Sequence, residues 1–323
     1  MIKTRLTERL GLKHPVIQAP MARAAGGKLA AAVSQAGGLG IIGGGYTDAE
    51  WIDAQFAEAG NSEVGCGFIT WAMAKTPEVL TRTLERNPKA IFLSFADPEP
   101  FSDEIKTAGT AFICQIQKLE HAERAVECGA DIIVAQGTEA GGHGAQRATM
   151  ALVPEIADMI AQKSPDTLLC AAGGIGDGRG LAASLMLGAD GVVVGSRFWA
   201  SNEALVHEDI LADAINKTGD NTVRTHVVDI IRELDWPRGY DCRVLTNAFT
   251  DRWHKDNQGL KGNLETEIPK WLNALEAGDA DNASAIVGEI TGLIHNVRPA
   301  ADILEDMVSE AEDLLRKSSA FTV

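Results

Sequence analysis

The sequence predicts an α/β protein built on a (β/α)₈ TIM barrel, with a helical lid subdomain inserted near its carboxyl end. Three observations carry this: strand-length apolar runs alternate with helical patterns, eight such runs occur before residue 200, and the texture turns helical after Asn202. Strict alternation implies parallel strands with right-handed crossovers. Eight units close a barrel, whereas an open doubly wound sheet more often stops at about five or six strands.

The runs are His14–Ala19, Leu39–Ile42, Val64–Ile69, Ala90–Phe95, Thr110–Ile116, Asp131–Ala135, Leu168–Ala172 and Gly191–Val194. Between the first two, Leu29, Ala32, Val33 and Ala36 make the i, i+3, i+4, i+7 stripe of an amphipathic helix. Leu181, Leu185 and the terminating Gly188 do the same before the last strand. Two joints resemble one another: Cys128-Gly-Ala-Asp-Ile-Ile-Val134 and Leu187-Gly-Ala-Asp-Gly-Val-Val-Val194 each read as helix end, glycine stop, buried strand. From 202 to 291 the chain reads as helical, with Trp236-Pro237, Trp253 and Trp271 interspersed and no further strand runs. Ala300, Ile303, Leu304, Met307, Val308, Ala311 and Leu315 then form a helix expected to return to the barrel wall. The barrel is thus assigned 1–201 and 292–323, and the lid 202–291.

The 323 residues carry a formal charge of −16, which repels a nucleic-acid backbone unless a local basic stripe overrides it, and none is found. No window reaches the ~20 apolar residues of a membrane helix, and Met1–Leu12 lacks a signal-peptide core, so a cytoplasmic address is expected. Cys66, Cys114, Cys128, Cys170 and Cys242 lack CxxC spacing and are expected to be buried free thiols. The oligomeric state is not written in the sequence; a homodimer is compatible with it.

In a parallel barrel the turns after the strands converge on one face, where ligands bind. Strand seven ends Ala172-Gly173-Gly174-Ile175 and strand eight ends Gly195-Ser196-Arg197-Phe198. Backbone N–H groups in such glycine turns, with a helix N-terminus behind, suit a phosphate, although glycines also serve merely to permit tight turns. Strand six leads into Gly141-Gly142-His143-Gly144. An imidazole without bulky neighbours can approach a flat ligand, and its ordinary pKa of about 6.5 suits proton transfer near neutrality. Among the seven histidines His143 alone falls on the predicted catalytic face. No second ligand stands at metal spacing with it, and no GxSxG turn is present, so neither a metal site nor a serine triad is expected.

At these residues the chain resembles the nitronate monooxygenase family of FMN barrels, once called 2-nitropropane dioxygenases. The matching pieces are Gln18-Ala-Pro-Met21, Glu139-Ala-Gly-Gly-His143, Ala172-Gly-Gly-Ile-Gly-Asp-Gly-Arg-Gly180, Gly188-Ala-Asp-Gly-Val192 and Gly195-Ser-Arg-Phe198, in barrel order. The resemblance implies FMN over the strand ends, with Ala19, Pro20 and Met21 lining its ring and Gln115, Gln136 and Gly142 beside it. It puts Gly173, Gly174, Gly195 and Ser196 on the phosphate and makes His143 the catalytic base. Gly67 stands where many relatives carry a flavin-contacting asparagine. The implied reaction is oxidation of alkyl nitronates, and of neutral nitroalkanes, by O₂ to carbonyl compounds and nitrite. Flavin-dependent enoyl-acyl-carrier-protein reductases and NADH:quinone reductases are also similar, though they usually read Gln-Gly-Met after strand one; a non-catalytic flavin binder is the third alternative.

Overall fold

Each of the eight apolar runs forms a strand, because alternate side chains can be buried on the two faces of a sheet that is itself covered by helices. In a computed structural model, which describes residues 2–318, the strands are β1 (Val16–Gln18), β2 (Ile41–Gly45), β3 (Gly65–Ile69), β4 (Ala90–Ser94), β5 (Ala111–Ile116) and β6 (Ile132–Gln136). They continue with β7 (Gly142–Gly144), β8 (Leu168–Ala172), β9 (Gly191–Val194), β10 (Thr222–Thr225) and β11 (Asp241–Leu245). Eight are parallel neighbours in the order β1-β9-β8-β6-β5-β4-β3-β2. The ring is joined between β1 and the residues before β2: Gln18 N–H donates to Leu39 O at 2.8 Å and Leu39 N–H to Val16 O at 3.0 Å. The TIM-barrel expectation therefore holds.

Inward-facing Ile17, Ile41, Phe92, Ile113, Val134, Leu168, Cys170 and Val193 fill the barrel as one apolar cluster. The helix Arg5–Leu10 seals its lower end with Leu6 and Leu10, which join that cluster. The two Gly-Ala-Asp joints explain how this plug is held. Asp131 and Asp190 each accept a neighbouring strand's amide, from Phe112 and Leu169, both at 2.9 Å, and each also pairs with an arginine of the plug, Arg9 and Arg5. With the bottom closed, the strand carboxyl ends remain as the open face. The helix Ala300–Lys317 returns to the wall against the helices Gly178–Met186 and Gly27–Gln35. All five cysteines are free and buried. No described helix is long and apolar enough to cross a membrane.

One expectation fails. The segment 202–291 is not wholly helical, since β10, β11 and β7 form an antiparallel sheet in the order β10-β11-β7. Thr-Val-Arg-Thr and Asp-Cys-Arg-Val-Leu are short and carry arginines, so they do not read as apolar runs, and the long connection between them lacks the tight turn that marks a hairpin. The partner β7 is the Gly-His-Gly turn itself, where glycines disfavour a strand reading.

Candidate active site

The period of two carries the barrel interior into a polar layer at its upper end. Two residues beyond inward-facing Ile113 and Val134 stand Gln115 and Gln136. Gln136 Oε1 accepts from Gln115 Nε2 at 3.2 Å and from buried Gln117 Nε2 at 2.8 Å, while Gln136 Nε2 donates to the His143 carbonyl at 3.1 Å. Gln18 is locked to the backbone of Ile41, accepting from its N–H at 3.1 Å and donating to its O at 3.2 Å. Above this layer lies a cavity of ≈ 470 Å³. Ala19, Pro20, Met21, Gly67, Gln115, Gln136, Gly142, His143, Gly173, Gly174, Gly195 and Ser196, the residues the resemblance assigns to flavin and catalysis, all lie on its wall.

His143 is held from four directions. Its backbone pairs with Cys242 of β11, and its carbonyl takes the Gln136 amide. Its Nε2 stands 2.8 Å from Asp229 Oδ1, both side chains being almost fully buried. Its ring lies under the Trp236 indole, centroids 3.4 Å apart and planes 5° from parallel. As a carboxylate, Asp229 can only accept, so Nε2 carries the hydrogen and Nδ1 is left with the lone pair. Burial lowers the imidazole pKa below its usual value, against the opposing hydrogen bond from Asp229. The ring is consequently neutral, and able to take a proton, at neutral pH.

Gly142, at φ +75°, turns the chain so that His143 can enter the sheet, a backbone setting in which a side chain would be strained. Arg224 and Arg243 tie the preceding loop to the lid sheet: both donate to Thr138 O, and Arg224 also reaches Gly144 O at 2.7 Å.

On the same cavity wall, Gly173 and Gly174 have φ of +99° and +71°. A Cβ on Gly195 would meet only Ala19 Cβ at 3.7 Å and Met21 Sδ at 3.9 Å, so the turn leaves open space above it. Ser196 Oγ accepts the Gly288 amide at 2.8 Å and keeps its own hydrogen to donate. This part of the wall suits a phosphate. The helix expected behind Gly174 does not contribute: its first amides are taken by the Asp177 and Glu310 carboxylates. Gly67 acts by absence, since a Cβ there would fall 2.4 Å from Pro20 Cβ.

The sequence reading missed Asp229, Trp236 and Arg232. Asp229 lies 86 residues from His143 on the short helix Val227–Ile231, and no spacing links them. Trp236 was visible only as an aromatic in the lid. Tyr46, Trp71, Phe95 and Tyr240 surround it edge-on, and its Nε1 donates to Tyr46 Oη at 3.1 Å. Trp271, Leu275 and Ile286 add further apolar surface to the cavity wall.

The family profile described as nitronate monooxygenase matches residues 3–63 and 67–310. A nitronate monooxygenase of Neurospora crassa is 34% identical over 96% of this chain and 92% of its own length. A (3aS,4S,5R,7aS)-5-hydroxy-7a-methyl-1-oxo-octahydro-1H-indene-4-carboxyl-CoA dehydrogenase of Rhodococcus jostii is 32% identical over 96% of both chains. Among solved structures, FabK from Thermotoga maritima superposes with a TM-score of 0.87, at 29% identity over 99% of this chain and 100% of the other.

Proposed function

The chain belongs to the nitronate monooxygenase family and is an oxidoreductase of that kind; from this premise we propose that it binds FMN and oxidises alkyl nitronates, and neutral nitroalkanes, with O₂ to carbonyl compounds and nitrite. The observation that carries the reading is a neutral, buried His143 oriented by Asp229 on the wall of a cavity whose glycine turns suit a phosphate. Gly173, Gly174, Gly195 and Ser196 would hold the phosphate, and Ala19, Pro20, Met21, Gln115, Gln136, Gly142 and the backbone at Gly67 would border the ring. Bound FMN supplies the electron-accepting ring that oxidises the substrate carbon, with O₂ as final acceptor. His143 Nδ1 takes the α-proton of a neutral nitroalkane, and Asp229 stabilises the imidazolium that results. The 202–291 segment serves as the lid: Trp236 and Trp271 exclude water from this exchange.

The test is to mix the FMN-loaded protein with propyl nitronate in air, and separately with NADH or NADPH without oxygen. Release of nitrite with O₂ uptake is expected. Fast bleaching by a nicotinamide, with no reaction of the nitronate, would replace this reading with a reductase or dehydrogenase, the class to which the Rhodococcus relative's name points.

Asp229→Asn gives a second check. The wild-type rate with a neutral nitroalkane should rise with pH to a plateau, with a midpoint below the ordinary histidine value because burial favours the neutral ring. Asp229 pulls that midpoint up, whereas Arg232 and Arg224 push it down. Removing the carboxylate therefore moves the acidic limb to lower pH. The plateau should also fall by at least about tenfold, since asparagine can present N–H to Nε2 and favour the wrong tautomer. An unchanged pH profile would remove Asp229 from the proton-transfer role.

A further inference from the structure

Two arginines lie on the cavity wall, and they differ in one respect. Arg23 is paired with Asp48 at 2.8 Å. The Arg232 side chain, half-buried, makes no ion pair or hydrogen bond with the described residues; its guanidinium lies over the Tyr46 ring, 5.0 Å from the centroid. Stacking on a ring leaves the in-plane N–H edge of a guanidinium free. Elsewhere around the site the chain satisfies its arginines thoroughly: Arg224 is bonded to Asp241, Thr138 and Gly144, and Arg243 to Thr138, Thr222 and Glu289. An unpaired fork of donors on a cavity wall is available to an acceptor from outside the chain.

Its position places that acceptor near the chemistry. Arg232 caps the carboxyl end of the same short helix, Val227–Ile231, that carries Asp229 to His143. A run of contacts connects the two functions, from Arg232 over Tyr46, to Tyr46 hydrogen-bonded to Trp236, to Trp236 stacked on His143. The Arg232 charge is also felt at His143, whose pKa it helps to lower.

We propose that Arg232 is the recognition site for a planar, two-oxygen anionic group on the substrate, a nitronate head or a carboxylate, held side-on by the guanidinium fork. A planar anion matches the spacing of two parallel N–H bonds, which a lysine ammonium cannot reproduce. The nitronate form of the proposal rests on the function proposed above; the anion site itself does not.

The experiment titrates the FMN holoenzyme with acetate and with its neutral isostere acetamide, following the flavin absorption spectrum, in wild type, Arg232→Gln and Arg232→Lys. Acetate affinity should fall roughly 10- to 100-fold in the glutamine variant, the range given by charge-assisted hydrogen bonds, and less in the lysine variant. Acetamide affinity should be the same in all three. In turnover, R232Q should raise KM far more than it lowers kcat. If KM rises for propyl nitronate and for a nitronate bearing a terminal carboxylate alike, the head is the group held; a rise for the carboxylated compound alone assigns the tail. Equal acetate affinity in R232Q and wild type overturns the proposal, and so does a parallel loss of acetamide, which would mean a collapsed cavity. Arg232-dependent acetate binding in a protein that does not oxidise nitronates would keep the anion site and reject the function.

Discussion

Replacing His143 with asparagine is expected to cut turnover of a neutral nitroalkane by ~10²–10⁴-fold, the usual contribution of a positioned general base, while nitronate oxidation falls far less and FMN stays bound. The contrast follows from what each substrate still has to lose. A neutral nitroalkane must give up its α-proton before its carbon is electron-rich, whereas a nitronate has already done so. His143 is placed for that step by Asp229 at Nε2 and is kept neutral by burial, with Nδ1 holding the lone pair. Asparagine keeps polarity but cannot accept the proton as a base; the stack on Trp236 goes with the imidazole ring, whereas the backbone pairing with β11 should survive. Steady-state rates on the two substrates, each with flavin content measured, decide it. Equal losses on both would make His143 a group that positions substrate or tunes the flavin, and no loss on either would leave it a structural histidine.

Gly174→Asp is expected to yield protein that folds and purifies without flavin. Gly174 sits at φ +71° in the turn after β8, and its missing Cβ would lie 3.4 Å from Glu139 Cβ. Aspartate tolerates this backbone region better than most residues, so the fold should hold. Its carboxylate, however, would stand where the phosphate is proposed to bind. Two like charges about 4 Å apart near a protein surface repel by about 4 kcal/mol, or roughly a thousandfold in affinity. Gly174→Ala adds bulk without charge and should retain part of the flavin. Visible flavin absorbance per chain, before and after incubation with excess FMN, measures both. Full retention by G174D would move the phosphate away from this turn.

The barrel was legible because burial on both faces writes itself directly into sequence. Leu168–Ala172 is apolar at every position and Ala90–Phe95 at all but Ser94, and the turn after Leu168–Ala172 carries the glycines that a tight strand-to-helix joint needs. The cavity wall was legible for a related reason. In a parallel barrel the residues just after each strand must meet at one end, so Gln18-Ala-Pro-Met21, Gly142-His143, Gly173-Gly174 and Gly195-Ser196 could be placed together from strand order alone.

What could not be read has the opposite character. β10 and β11 pair antiparallel across a 15-residue connection and are too short and too rich in Thr, Asp and Arg to read as apolar runs, so their strand identity comes from their partner. The helix behind Gly174 looked ready to receive a phosphate until Asp177 and Glu310 were found on its amides, the latter 132 residues away in sequence. Asp229, Trp236 and Arg232 belong to a segment that no local pattern ties to the barrel; Trp236 and Arg232 line the cavity and Asp229 reaches His143 beside it, while β11 of the same segment pairs with β7. The sequence by itself determined the barrel, its open end and the histidine on its rim, because those depend on periodicity and chain order. Tertiary structure alone decided which carboxylate orients that histidine, which indole covers it and which guanidinium stands free, because each is a contact between residues far apart in the chain.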